Sequence, residues 1–241
     1  MARITKQGIT GAIGSVVFYS VNGKNYVMSK RKKEQQKRRR GKGIDPKNEQ
    51  FGIVSTYGSR MLGLLREHFL FHTGRDAYNR FRGWLKQAYT TRGTDPVWEI
   101  SIENGTCPLS TGADLRDHLR VPVVVQDLGG SVIKVGIPPI DTVRQLKIPS
   151  RAVSMRIKAL AVSAAFKPRP IIYAIEAQEV IFNLNQNILP AHAFTLALQA
   201  EPGDIAIVAL ALEFKLAGSE LFVTDPKWLP AGVVAAGRLK G

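Results

Sequence analysis

Nine of the thirteen residues from Lys30 to Lys42 are cations: Lys30, Arg31, Lys32, Lys33, Lys37, Arg38, Arg39, Arg40 and Lys42, with Glu34 the single acid among them. The chemistry of such a run is neutralisation of a polyanion. Each phosphate met by Lys or Arg releases condensed counterions, so log affinity falls with log salt by roughly 0.9 per contact on duplex DNA and ~0.7 on single strands. The run carries no aromatic residue on which a base would stack. Its expected contacts are therefore with backbone phosphates of DNA or RNA and independent of sequence. Arg80, Arg82 and Lys86, with Arg75 nearby, extend this basic set onto a predicted helix. Trp84 and Tyr78 on the same helix are either stacking partners or core residues.

Other groups capable of chemistry are sparse. His68 and His72 stand four apart, which places both imidazoles on one helical face, but a metal needs a third and a fourth ligand. Cys107 is the single cysteine, so no intrachain disulfide forms, and no nucleophile signature surrounds it. Asp114, Asp117 and His118 are close in sequence, where helix capping and solvation account for them. The chain lacks a dinucleotide fingerprint, a kinase motif set, a nucleophile elbow and zinc-finger spacing. The expectation is a chain without catalytic residues, metal or cofactor.

The elements that position the run are an N-terminal hairpin before it and a helical pair after it. In "SVVFYSVNGKNYVMSK", residues 15–30, Asn22-Gly23 is a strong two-residue hairpin turn because both central positions need positive φ. The turn sets Val21 opposite Lys24, Tyr19 opposite Tyr26 and Val17 opposite Met28. A lone hairpin is marginal in water, so this one must dock on something. Gly8, Gly11 and Gly14 upstream predict a flexible or tightly turning lead-in. Between Ser29 and Ile44 no apolar residue occurs, which predicts an extended or disordered segment when free. Phe51, Val54, Gly58, Met61, Leu62, Leu65 and Phe69 predict a helix over 48–71, and close backbone approach is a reason to keep Gly58. Tyr78, Phe81, Leu85, Ala88 and Tyr89 predict a second helix over 77–90, with its basic residues off the apolar stripe. "TTRGTDP" reads as a linker or long turn.

Beyond it the texture changes to short β-branched runs, with candidate strands at 97–102, 121–126, 131–137, 152–166, 170–183, 192–200, 204–215 and 220–224. Val153, Met155, Ile157 and Ala159 alternate with Ser154, Arg156 and Lys158, which predicts one wet face. "EPGD" at 201–204 reads as a hairpin turn, and "LPAGVVAAGRLKG" at 229–241 as an apolar tail suited to a neighbouring subunit. The fold class expected is α+β: a hairpin with a basic arm over 1–47, a helical pair over 48–92, and an antiparallel β-sandwich, jelly-roll or immunoglobulin-like, over 93–241.

Charge follows the same division. The 241-residue chain has a net charge of +15, with 20 Lys/Arg and 5 Asp/Glu in residues 1–92 and 14 of each in residues 93–241. Such segregation points to nucleic acid or an anionic membrane surface as partner, and the absence of interleaved apolar residues weakens the membrane reading. The opening "MARITKQGITGAIGSVVFYS" has its apolar residues broken by Gly8, Gly11, Gly14 and Ser15, so no signal peptide is expected. The longest strongly apolar run, "IAIVALAL", is far short of the roughly 20 residues a membrane-spanning helix needs. A location in the cytoplasm or within a virion or similar particle is expected.

"GAIGSVVFYSVNGKNYVMSKRKK", residues 11–33, resembles the opening of a family of uncharacterised bacterial proteins: Gly-x-x-Gly-x-Val-Val, an aromatic, an Asn-Gly-Lys-type turn, then Tyr-Val-x-Ser and basic residues. Gly11, Gly14, Val16, Val17, Gly23, Tyr26, Val27 and Ser29 carry the resemblance, and "FGIVSTYGSRML" is a vaguer likeness. Met28 departs from it, since the family tends to have Arg there. The resemblance implies the same order of hairpin, helical region and β-rich domain, and no activity. A basic arm ahead of a β-sandwich is also similar in architecture to small viral coat proteins, a likeness of fold and not of function. These readings lead to a non-enzymatic structural protein of a multi-subunit assembly, a phage or virus-like particle in its most concrete form, forming a homo-oligomer or larger assembly. The alternatives are a monomeric or dimeric nucleic-acid-binding module associated with ribosome or nucleoid, and an enzyme acting on a polyanion.

Overall fold

The computed structural model describes residues 3–5, 8–13, 15–21, 24–29, 46–71, 74–92, 95–98, 107–164, 173–202 and 204–239. These hold few helices and many antiparallel sheets, an α+β chain that is mostly β. The chain divides into two compact units, Met1–Gln50 and Phe51–Gly241.

The N-terminal unit contains a four-stranded antiparallel meander of β1 (Arg3–Thr5), β2 (Gly8–Ile13), β3 (Val16–Val21) and β4 (Lys24–Ser29). Val21 pairs with Lys24, Tyr19 with Tyr26 and Val17 with Met28, the register that a two-residue Asn-Gly turn dictates. The hairpin docks on β2, with Gly11 opposite Phe18 and Ala12 opposite Val17. Gly8 and Gly11 of the glycine-rich lead-in therefore lie in strand β2. Gly11 sits there at φ 115°, a conformation open to glycine and costly for any side chain. Gly14, Asn22 and Gly23 lie outside the described residues, as do residues 30–45.

The helical pair consists of α1 (Pro46–His68) and α2 (Arg75–Ala88). From Tyr57 onward the stripe of α1 is buried through Met61, Leu62, Leu65 and the following Phe69, and α2 buries Ala77, Phe81 and Leu85. A Cβ on Gly58 would stand 3.1 Å from Leu85 Cδ1 and 3.4 Å from Arg82 Cγ, so the helices meet there because residue 58 lacks a side chain. After α2 the segment read as a linker or long turn forms a small hairpin, β5 (Tyr89–Arg92) against β6 (Asp95–Trp98).

Two further sheets share a core. One has the order β12-β11-β15-β16-β7, built from β7 (Cys107–Pro108), β11 (Ala152–Ala164), β12 (Tyr173–Asn183), β15 (Ile205–Leu216) and β16 (Ala231–Arg238). The other is β14-β9-β8, built from β8 (Val124–Asp127), β9 (Val132–Ile137) and β14 (His192–Ala197). Short pieces complete the list: α3 (Leu115–His118), β10 (Ile140–Asp141) paired with β13 (Ile188–Leu189), and a 3-10 turn at Pro226–Trp228. Val135, Phe194 and Leu196 of the smaller sheet join Met155, Ile157, Val208, Leu210, Leu212 and Phe214 of the larger in one apolar cluster. The other face of the larger sheet, through Leu160, Val162, Ile207, Ala209 and Ala211, packs with Leu65, Phe69, Phe81 and Leu85 of the helical segment. β15 is buried on both faces, which is why it reads as a continuous apolar run instead of an alternating one.

Four expectations are corrected by these positions. The supposed tail at 229–241 contributes β16, an interior strand between β15 and β7, with Leu229, Ala231, Val233, Ala236 and Leu239 buried. Segment 220–224 forms only a single bridge, Lys215 to Phe222. "EPGD" links β14 to β15, strands of different sheets, so it is a crossover and not a hairpin turn. The face of β11 expected to be wet is so only in part: Ser154, Arg156 and Lys158 are half-buried against fully buried Met155, Ile157 and Ala159, and Leu160, Val162 and Ala164 farther along the same face are buried.

Candidate nucleic-acid interface

The nine cations of the run, Lys30, Arg31, Lys32, Lys33, Lys37, Arg38, Arg39, Arg40 and Lys42, lie outside the described residues, and so does the side chain of Lys86. The structure places the other two proposed phosphate ligands in internal contacts. Arg80 donates from Nη2 to the Ser110 carbonyl at 3.1 Å, tying α2 to the loop after β7. Arg82 is half-buried, its guanidinium 5.1 Å from the centre of the Tyr78 ring. Trp84 stacks on Phe81 with centroids 6.0 Å apart and is itself half-buried, so it belongs to the helix packing.

The N-terminal sheet presents a different surface. Tyr19 and Tyr26, cross-strand partners, stack with centroids 5.5 Å apart and planes 19° from parallel. Their neighbour on that face, Met28, is exposed, and Val27 and Ile13 are exposed as well. The turn residues predict the pairing, but nothing in the residue pattern signals that the rings stay in solvent.

Beside the C-terminus of α1 lies a buried charge cluster. Glu213, without solvent exposure on β15, accepts at Oε2 from Arg156 Nε (2.8 Å) and Nη2, and at Oε1 from Lys158 Nζ (3.1 Å) and the Leu70 amide (3.3 Å). Lys158 also donates to the His68 carbonyl at 3.1 Å, Arg156 pairs with Glu179 at 3.5 Å, and the Phe222 ring lies 3.9 Å from its guanidinium. A cleft of about 240 Å³ opens over Lys158, bounded by His68, Phe69, Ala177, Gln178 and Glu179. Two carboxylates balance the two cations, and each cation is engaged within the fold. The arrangement clamps the end of α1 to the sheet.

Asp114, His118, Cys107 and His192 make contacts within the fold. Asp114 caps α3, accepting from the Arg116 amide at 3.0 Å, and its carbonyl lies 2.9 Å from His118 Nδ1. Burial holds the His118 pKa below its ordinary value against the opposing pull of that carbonyl, and its ring meets Trp228 edge-on at 5.7 Å. Burial pushes the Cys107 thiol up to about 11 despite the field of Arg80. His192 packs edge-on against Phe194 at 4.6 Å. His68 is exposed, and His72 is outside the described residues. Among the described residues no group of three or more His, Cys, Asp or Glu is placed to hold a metal ion, and no helix is long and apolar enough to cross a membrane.

Comparison with protein families, with curated protein sequences and with solved structures finds no match to this chain.

Proposed function

We propose that this chain is a non-enzymatic structural protein of a multi-subunit assembly, with residues 30–42 contacting nucleic acid without sequence specificity. A phage or virus-like particle is the most concrete version. The observation that carries the reading is charge segregation: the whole excess of +15 falls in residues 1–92, while residues 93–241 are neutral. A neutral, deeply packed β-rich body joined to a polycationic segment divides the work, the body giving shape and the segment meeting phosphate. The facing sheets, between which the chain passes repeatedly, support reading that body as an antiparallel sandwich of the jelly-roll or immunoglobulin-like kind.

One observation favours the second reading, a monomeric or dimeric nucleic-acid-binding module. The apolar C-terminal segment is used within the chain's own sheet as β16 and is not left over for a neighbouring subunit. Light-scattering mass during size exclusion, with the ultraviolet absorbance ratio recorded, separates the two. Large uniform particles carrying nucleic acid support the assembly, and a small species that holds nucleic acid only at low salt supports the module. In both cases the variant K37Q/R38Q/R39Q/R40Q binds more weakly and with a shallower salt dependence. Unchanged affinity of that variant at low salt overturns the nucleic-acid reading.

A further inference from the structure

We propose that the Tyr19–Tyr26 face of the N-terminal sheet is a stacking platform for the bases of single-stranded nucleic acid. The proposal rests on the reading that the chain binds nucleic acid, and it names the class bound.

The two rings are 40% and 43% exposed, although both are large enough to anchor a core, and Met28 beside them is 44% exposed. Strand pairing and mutual stacking hold the two rings in place, so a planar ligand meets a preformed aromatic surface and little side-chain freedom is lost on binding. Proteins that hold single strands without sequence preference combine such aromatic surfaces with a cationic path for the backbone, because every base has a π-face. The chain supplies both parts close together in sequence. Strand β4 ends at Ser29, three residues after Tyr26, and Lys30 opens the basic run. At strand rise the three residues from Tyr26 to Ser29 span roughly 10 Å, about one Debye length at 0.1 M salt.

Charge selects among the occupants of this apolar face. A second copy of the chain would bring the same nine cations against the first, in a protein of net charge +15. A single strand is polyanionic along its backbone and apolar on its base faces, so it complements both features. A duplex keeps its bases stacked on one another and offers the rings nothing.

The test is binding of the full chain to a labelled oligothymidylate and to a duplex of equal length. Wild type should prefer the single strand. The double variant Y19L/Y26L keeps apolar bulk but removes the π-faces. It should lose roughly 10- to 100-fold in single-strand affinity, the range that base–aromatic stacking supplies, with its salt slope unchanged. Y19F/Y26F should retain wild-type affinity. If Y19L/Y26L binds as wild type while K37Q/R38Q/R39Q/R40Q binds more weakly, the platform is overturned and the general nucleic-acid reading stands. If neither variant weakens binding, both fall. Ultraviolet cross-linking of wild type gives a readout that does not depend on variant folding. Trypsin releases residues 7–24, which contain Tyr19, and 25–30, which contain Tyr26. Thymidine adducts on these peptides support the platform, and adducts confined to other peptides overturn it.

Discussion

Arg156 and Glu213 are direct partners across the β11–β15 ladder, and Arg156 Nε donates to Glu213 Oε2 at 2.8 Å. The carboxylate has no solvent exposure, so its stability in the core depends wholly on Arg156, Lys158 and the Leu70 amide. Removing one member of such a cluster leaves the others desolvated and unpaired, which costs more than the cluster contributes as a whole.

Glu213→Ala is accordingly expected to destabilise the protein by about 3–5 kcal/mol. The triple variant E213L/R156M/K158M should cost much less, since it removes charge and partner together. Urea unfolding measures both. A loss for Glu213→Ala no larger than for the triple variant would show that the carboxylate is not held as described.

Gly63 and Gly58 lie on the same helix in opposite circumstances. A Cβ on Gly63 would meet nothing within 4 Å, whereas one on Gly58 would press on Leu85 at 3.1 Å. Gly63→Ala should therefore raise stability by up to about 1 kcal/mol through helix propensity alone. Gly58→Ala should forfeit most of that gain, and Gly58→Leu should destabilise by about 1–3 kcal/mol as the helices are forced apart. Thermal unfolding of the three variants orders them.

His118 gives a pH dependence whose sign follows from its burial. Its folded pKa lies below the ordinary 6.5, so the unfolded chain binds a proton first as pH falls. Stability from this residue is intact above pH 6.5 and is lost progressively below it, until the folded value is passed. Replacing it, as in His118→Gln, should flatten that part of the stability profile. Denaturant midpoints taken at intervals across the acid side of neutrality test this.

Cys107 is buried, and its thiol is raised to about 11, so little thiolate exists at neutral pH. Labelling by a maleimide should be slow in the native protein and fast in urea. Prompt stoichiometric labelling of the native chain would contradict the burial of β7.

Much of the architecture was legible in local chemistry. The Asn22-Gly23 pair predicts the register seen between the flanking strands, and the spacing of Met61, Leu62, Leu65 and Phe69 predicts the buried stripe of α1. What escaped was structure made by small residues. β16 reads as a tail because "AGVVAAGR" is poor in bulk, yet that is what its crowded place requires. A Cβ on Gly232 would stand 3.3 Å from the Cys107 carbonyl and 3.4 Å from Leu115 Cβ. Strands β7 and β10, two residues each, are too short to leave a pattern. The charge cluster left one signal, a lone acid within "IAIVALALEFKL", since a carboxylate in an otherwise buried strand requires cationic partners. The exposure of Tyr19 and Tyr26 left none, because alternation tells which residues share a face and not what covers it.

The interior place of β16 bears on how the protein reaches its fold. Ribosomal synthesis delivers this strand after every other strand described, yet β7 pairs with it and with no other strand of the sheet. Cys107 must wait for Val233, its partner across more than half the chain. Until then β15 has one bare flank along an almost wholly apolar strand, open to pairing with another nascent chain. The long-range closure predicts slow folding, set by the order in which the strands emerge.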